Sequence, residues 1–373
     1  MSIFRTAQSE IDAYFEDDEH LSQSKIKQIL KGMDVYNKKK DEKMLYYEEK
    51  GHFIIGNGVD VYLTQGQQTY EQQFHIATVD KPSGKTLSIL TYLYDQMVNQ
   101  YIDVEDGNSL INMLTLDRVT DEDILLACDT ESFYPNWGAD KRVAGIKKAS
   151  NYFDEICLAY GKQIIDPIEN EVIINICNSL KENEVTNKYF PTETPEGIDI
   201  YYQYPLYFDY EGIPSKILLD AVYIDHNTQE ITLVDLKTLG DYTINFPYQA
   251  VRMRYDIQAS YYLNGFANSE LLTDDYDMKN FIFVVESTKV QGNPLIYESS
   301  FEFLRMGSVG RPEGTSLLSS LNTPVMHIPH RAVHGFVEGC ERYKWHLEHG
   351  FEQDKIVVEN GGVLDLGWNR IIT

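Results

Sequence analysis

The chain has 373 residues, 43% apolar, 24% charged and 12% aromatic, the proportions of a packed globular protein with a sizeable core in one elaborated domain or two modest ones. No apolar run approaches the roughly 18 residues that span a bilayer, and the opening MSIFRTAQSEIDAYFEDDEH lacks the basic start and apolar run of a signal peptide, so a cytoplasmic protein with no membrane partner is expected. With 58 acidic against 32 basic residues the formal charge is −26, which excludes a general electrostatic grip on nucleic acid; any such partner requires locally concentrated positive charge.

In chain order, LSQSKIKQILKGMDVY sets Ile26, Ile29, Leu30 and Met33 at i, i+3, i+4 and i+7, the stripe of an amphipathic helix that Ser22 or Ser24 would cap. A glycine-rich stretch, GHFIIGNGVDVYLTQG, follows. KPSGKT ends like a phosphate-binding loop, but Val79 stands where GxxxxGK[ST] needs its first glycine, so Ser83 reads as a helix cap. Periodicity predicts helices over 87–101, 143–160 and 168–180, the last opened by Asp166, Pro167 and Glu169. From Ile198 the period changes to that of strands: IDIYYQYPLYFDY, KILLDAVYID and EITLVDLKT are divided by EGIPS and HNTQ, a β-meander. A helix over 248–266, a strand NFIFVVE, the segment PLIYESSFEFL and a helix over 332–349 complete the chain. The expected fold is α/β (α+β): a mixed β-sheet core flanked by helices, preceded by a helical N-terminal extension. Residues 1–197 form the helical part and 198–373 the core, as one compact domain overall.

Four cysteines, Cys128, Cys157, Cys177 and Cys340, lie far apart without a CxxC pair and read as core thiols. The short basic clusters are Lys25, Lys27 and Lys31; 38–40; Lys141 with Arg142; Lys147 with Lys148; and Arg252 with Arg254. Each reads as a solvated face.

Charge inside apolar strands is the informative departure. Asp220 interrupts one strand run; Asp235 and Lys237, two apart and hence on one face, end the next. A tight hairpin at HNTQ permits registers that set Asp220 beside Asp235. Two adjoining carboxylates repel unless one is protonated or a cation lies between them, and Mg²⁺ held by one or two carboxylates, with water and phosphate oxygens completing its shell, answers that. An ordinary surface ion pair of lysine and aspartate is the alternative, and D/E-x-K alone decides nothing, since Asp41/Lys43, Glu48/Lys50 and Asp277/Lys279 match it too.

Asp220, fourteen intervening residues and Asp235-Leu236-Lys237 resemble the signature of the PD-(D/E)XK nuclease superfamily. Downstream, Gln258 and Tyr262, four apart on one helix face, resemble the QxxxY motif of its RecB-like branch. The N-terminal LSQSKIKQILKGMDVY and IIGNGVDVYLTQG are similar to the opening of phage and prophage RecE-like exodeoxyribonucleases, which carry a GxxxH stretch; here Gly56 is followed four residues on by Asp60, a carboxylate in the histidine position that otherwise reads as a helix cap. The resemblance covers residues 22–349, most specifically 218–262.

The resemblance implies an αβββαβ-type core and a Mg²⁺-dependent deoxyribonuclease, an exonuclease processing linear double-stranded DNA ends for recombination or repair. Asp220, Asp235, the Leu236 carbonyl and Asp60 would hold Mg²⁺, for which Mn²⁺ can substitute. Lys237 would orient water or offset phosphorane charge, Gln258 and Tyr262 would position the site, and Arg252 or Arg254 would meet phosphate. It further implies a bacterial cytoplasm, a phage origin, a single-strand annealing protein as partner and a ring-shaped homo-oligomer with positive charge lining its channel. The cysteine order, three before QxxxY and one after, implies no iron–sulfur cluster. A catalytically silent DNA-end-binding or protein-interaction module on the same fold is the alternative.

Overall fold

A computed structural model describes residues 2–42, 51–100, 114–193, 195–311 and 333–360. The chain begins with β1 (Ile3–Arg5), α1 (Gln8–Glu16) and α2 (Gln23–Lys31). Ser22 caps α2, its hydroxyl accepting from the Lys25 N–H, and Ile26, Ile29 and Leu30 are buried. After α3 (Met33–Glu42), α4 (Gly51–Asp60) passes directly into a π-helical turn at Val61–Gln65. Next come α5 (Gln67–Gln73), β2 (Phe74–Ile76), α6 (Gly84–Gln100), α7 (Asp121–Thr130), α8 (Ala139–Lys147), α9 (Ser150–Ala159), β3 (Gln163–Ile165) and α10 (Pro167–Glu182). At the start of α10 a reciprocal capping box forms: the Glu169 N–H donates to Asp166 Oδ1 at 2.7 Å and the Asp166 N–H to Glu169 Oε2 at 3.0 Å.

The meander then appears as β4 (Ile198–Tyr210), β5 (Ile213–Asp225) and β6 (Glu230–Leu239), followed by α11 (Phe246–Arg252), α12 (Tyr255–Phe266), β7 (Asp277–Met278), β8 (Ile282–Ser287), β9 (Leu295–Glu298), α13 (Phe301–Val309), α14 (Phe336–His349) and α15 (Lys355–Glu359). One seven-stranded mixed sheet has the order β1-β4-β5-β6-β8-β9, with β7 also pairing to β6. The β4–β5 and β5–β6 pairs are antiparallel, whereas β8 returns parallel to β6 after a crossover that includes α12. The fold is therefore the mixed α/β class read from the sequence.

The chain divides into two compact units: Met1–Gly56, Leu63–Gln65 and Ile176–Thr373 form the first; Asn57–Tyr62 and Gly66–Asn175 form the second. In the first, Ile257, Tyr261, Tyr262 and Phe266 of α12 join Leu219, Val222 and Leu233 of the sheet, with Ile26 and Ile29 of α2 and Phe336 of α14 in the same core. A Cβ on Gly265 would meet Phe208 at 2.7 Å, so the missing side chain is what lets α12 lie this close to the sheet. The second unit holds a parallel β2–β3 pair and its own core of Ile89, Leu90, Leu93, Cys128, Ile146 and Phe153. All four cysteines are buried. No described helix is long and apolar enough to cross a membrane.

Two expected helices are each divided. The helix read over 248–266 breaks at Met253 and Arg254, the latter in the left-handed region at φ 54°. A buried ion pair between Arg254 and Asp256, in the first turn of α12, accompanies that turn. The helix over 143–160 is α8 and α9. Its apolar phase (Val143, Ile146, Phe153, Cys157) continues across the break, so periodicity alone does not register it.

Candidate active site at the β5–β6–α12 corner

The β5–β6 ladder runs from Asp225 opposite Glu230 to Ala221 opposite Val234, so the next positions in register are Asp220 and Asp235. There a side chain replaces strand pairing: the Leu236 N–H donates to Asp220 Oδ2 at 2.8 Å. Asp235, 2% exposed, accepts from Gln258 Nε2 at 2.5 Å on Oδ1 and pairs through Oδ2 with the Lys237 ammonium. That ammonium also donates to the Leu236 carbonyl at 3.5 Å. Both oxygens of this buried carboxylate thus face a nitrogen, Gln258 Nε2 on Oδ1 and Lys237 Nζ on Oδ2.

The electrostatics follow from burial. Desolvation pushes the Asp235 carboxyl above its ordinary value, opposed first by Lys237, then by Lys27 and the Gln258 hydrogen bond. Burial works against the Lys237 ammonium too, but Asp235 and then Asp220 outweigh it and hold its pKa above the ordinary lysine value. A buried carboxylate keeps its charge only beside a cation, and this one has an ammonium at hand. Tyr262, one helical turn beyond Gln258, is buried, and desolvation with the fields of Tyr14, Asp235 and Asp220 pushes its phenol far up; it acts as a neutral hydroxyl. Asp220, Asp235, Leu236, Lys237, Gln258 and Tyr262 thus meet in one corner of the first unit.

The remaining expected residues are Arg254, Arg252 and Asp60. Arg254 is buried, its guanidinium donating to both Asp256 oxygens at 2.9–3.2 Å and to the His334 carbonyl at 2.7 Å. Arg252, at the end of α11, is exposed. Gly56 of α4 lies against the sheet, where an added Cβ would stand 3.0 Å from Thr238 Oγ1, beside Lys237. Asp60, the last residue of α4, is counted in the second unit; it is helical, at φ −60° and ψ −53°, and its side chain makes no capping hydrogen bond.

Two residues of this corner have no place in the motif pattern. Tyr255, the first residue of α12, has Lys237 Nζ 5.1 Å and Lys27 Nζ 5.4 Å from its ring centroid. Lys27 was legible only as a helix position beside the buried Ile26 and three before Leu30; in a charge count it looks like a solvated lysine.

Two carboxylates on neighbouring strands and a main-chain carbonyl are hard oxygen donors. Such a set suits an ion that completes its shell with water and substrate oxygens, which is the habit of Mg²⁺. Among the described residues no group of three or more His, Cys, Asp or Glu could hold a metal by itself.

No family model matches the chain, and no curated protein matches it. Among solved structures it is similar to a protein from Eubacterium rectale described as a candidate exonuclease, with 11% identity, 97% of this chain and 89% of that one covered, and a TM-score of 0.42. At that identity and score the likeness fixes nothing about this chain's chemistry.

Proposed function

We propose that the chain is a Mg²⁺-dependent deoxyribonuclease of the PD-(D/E)XK type, RecB-like in its helix motif, acting as an exonuclease on linear double-stranded DNA ends. The observation that supports it most is the corner itself: Asp220 and Asp235 facing each other at the next register position of the β5–β6 ladder, with Lys237 and Gln258 both on the Asp235 carboxylate.

Asp220, Asp235 and the Leu236 carbonyl would hold the metal, which supplies a water activated at neutral pH and charge stabilisation at the leaving oxygen. Gln258 holds one oxygen of the Asp235 carboxylate while Lys237 faces the other, so the orientation of that carboxylate is set before substrate arrives. Lys237, held charged by its two aspartates, orients the attacking water or offsets charge building on the phosphorane. Tyr262 keeps its proton and supports Gln258 from within the core.

The test is incubation of labelled linear duplex, single-stranded and circular DNA with Mg²⁺ or Mn²⁺, comparing wild type with Lys237→Ala. Linear duplex is expected to be consumed with circles spared, and Lys237→Ala to slow cleavage by about 10²–10³-fold, the cost of removing one transition-state charge partner. Cleaved circles would make it an endonuclease. DNA binding by wild type without cleavage would select the silent module, and neither metal binding nor cleavage would end the enzyme reading. The resemblance also supports a ring-shaped homo-oligomer and an annealing-protein partner; a purely monomeric species in gel filtration would remove the ring.

A further inference from the structure

Three cations stand at the β5–β6–α12 corner, and two of them have partners within the protein: Lys237 pairs with Asp235, and Arg254 with Asp256 and the His334 carbonyl. Lys27 is the third. Among the described residues it makes no hydrogen bond and no ion pair, and its closest partner is the Tyr255 ring. We propose that Lys27 binds a phosphate oxygen of the nucleic acid, a second ammonium beside Lys237 that positions the strand at the metal-binding carboxylates. The proposal rests on the nuclease reading and adds a substrate-binding residue that the motif pattern does not contain.

Geometry favours this over a merely structural lysine. The Lys27 ammonium and that of Lys237 both lie within 6 Å of one ring centroid, so the two charges share one small region. Lys27 is half-buried, and a Tyr face is a weaker partner for an ammonium than an anionic oxygen. Burial pushes the amine down to about 7; Asp256 and, more weakly, Asp235 resist, while Lys237 and Arg254 add to the fall. A packing lysine would have an acceptor built into the protein, as Lys216 has in the Tyr14 and Asp17 carbonyls. Lys27 has none among the described residues, and a phosphodiester brings two unesterified oxygens to that place. The backbone beneath it is fixed, since Ile26 and Leu30 on the same helix are buried. Arg254, the other basic residue of this corner outside the motif, has its guanidinium tied to Asp256 and His334. For a chain of charge −26, one ammonium without an internal partner is the kind of local positive charge that a DNA site requires.

The experiment measures binding of a labelled linear duplex by fluorescence anisotropy in EDTA across a salt series, with Lys27→Met, Lys27→Arg and wild type, alongside melting temperature and Mg²⁺-dependent cleavage. Lys27→Met keeps the bulk of the stem and should weaken binding about tenfold or more, the value of a hydrogen bond to a charged group. The slope of log K against log[salt] should become shallower by about 0.9, as when one phosphate fewer is neutralised. Lys27→Arg should recover most of both, with the melting temperature of Lys27→Met no lower than wild type. Equal affinity and equal slope for Lys27→Met and an active wild type would overturn this assignment alone. So would a loss that Lys27→Arg fails to recover and that tracks a fall in melting temperature, the mark of a structural role. A wild type that neither binds nor cleaves DNA would take down the nuclease reading, and this one with it.

Discussion

Asp235 and Glu155 are both buried carboxylates, 2% and 4% exposed, one in each unit, and their surroundings treat them in opposite ways. Glu155, on α9, is fully provided for: Oε1 accepts from the Thr78 N–H at 2.7 Å and from the Thr78 hydroxyl, and Oε2 meets His75 Nε2 at 2.6 Å. Burial alone would push its pKa up, but the Thr78 and His75 hydrogen bonds overcome that and bring it below the ordinary value. Asp235 has one hydrogen bond, from Gln258, and one ammonium, and burial keeps its pKa raised. Glu155 is held by hydrogen bonds on both oxygens, whereas Asp235 is held by one amide and one ammonium.

The widest separation of the two should come from replacing the ion pair. Asp235→Asn combined with Lys237→Met should abolish Mg²⁺-dependent cleavage while the melting temperature stays level or rises, because exchanging a buried ion pair for uncharged groups is commonly neutral or stabilising by about 1–4 kcal/mol. A collapse of the fold in calorimetry would mean that Asp235 holds the structure together as Glu155 does.

Next in size, Glu155→Gln should cost about 1–3 kcal/mol in chemical denaturation, since the amide NH₂ that replaces one carboxylate oxygen cannot accept what that oxygen accepted. Cleavage below the unfolding transition should be unchanged. An unaltered denaturation midpoint would break the contrast.

The smallest effect is in pH. Because the folded pKa of Glu155 is depressed, its stabilisation is complete above the ordinary value of 4.5 and is lost as pH falls through the lower folded value. Wild type should therefore lose part of its advantage over Glu155→Gln in acid, and the difference between their melting curves should be pH-independent above that window. A difference that grows on acidification would reverse the sign and the explanation.

Much of the corner was legible in the residues themselves. Asp220, Asp235 and Lys237 stood out because charge within β-branched and aliphatic runs has to be accommodated, and Gln258 with Tyr262 because a four-residue interval on a helix fixes a shared face. Arg254 was not: as an arginine in an apparently continuous helix it looked available to phosphate, but a left-handed turn folds it onto Asp256, a partner two residues away that helical spacing would have pointed elsewhere. Glu155 gave no sign either, because its partners His75 and Thr78 come from a segment about eighty residues earlier.

The sequence by itself determined the alternation of strands and helices, the capping box at Asp166 and Glu169, and the two strands and one helix on which the motif residues ride, because each depends on neighbours within a few positions. Tertiary structure alone decided the β5–β6 register that sets Asp220 next to Asp235, the Gln258 hydrogen bond on that carboxylate, and the placing of Lys27 over Tyr255. Those depend on which surfaces are buried against which, and burial is what gives a charged side chain its partner or leaves it waiting for one.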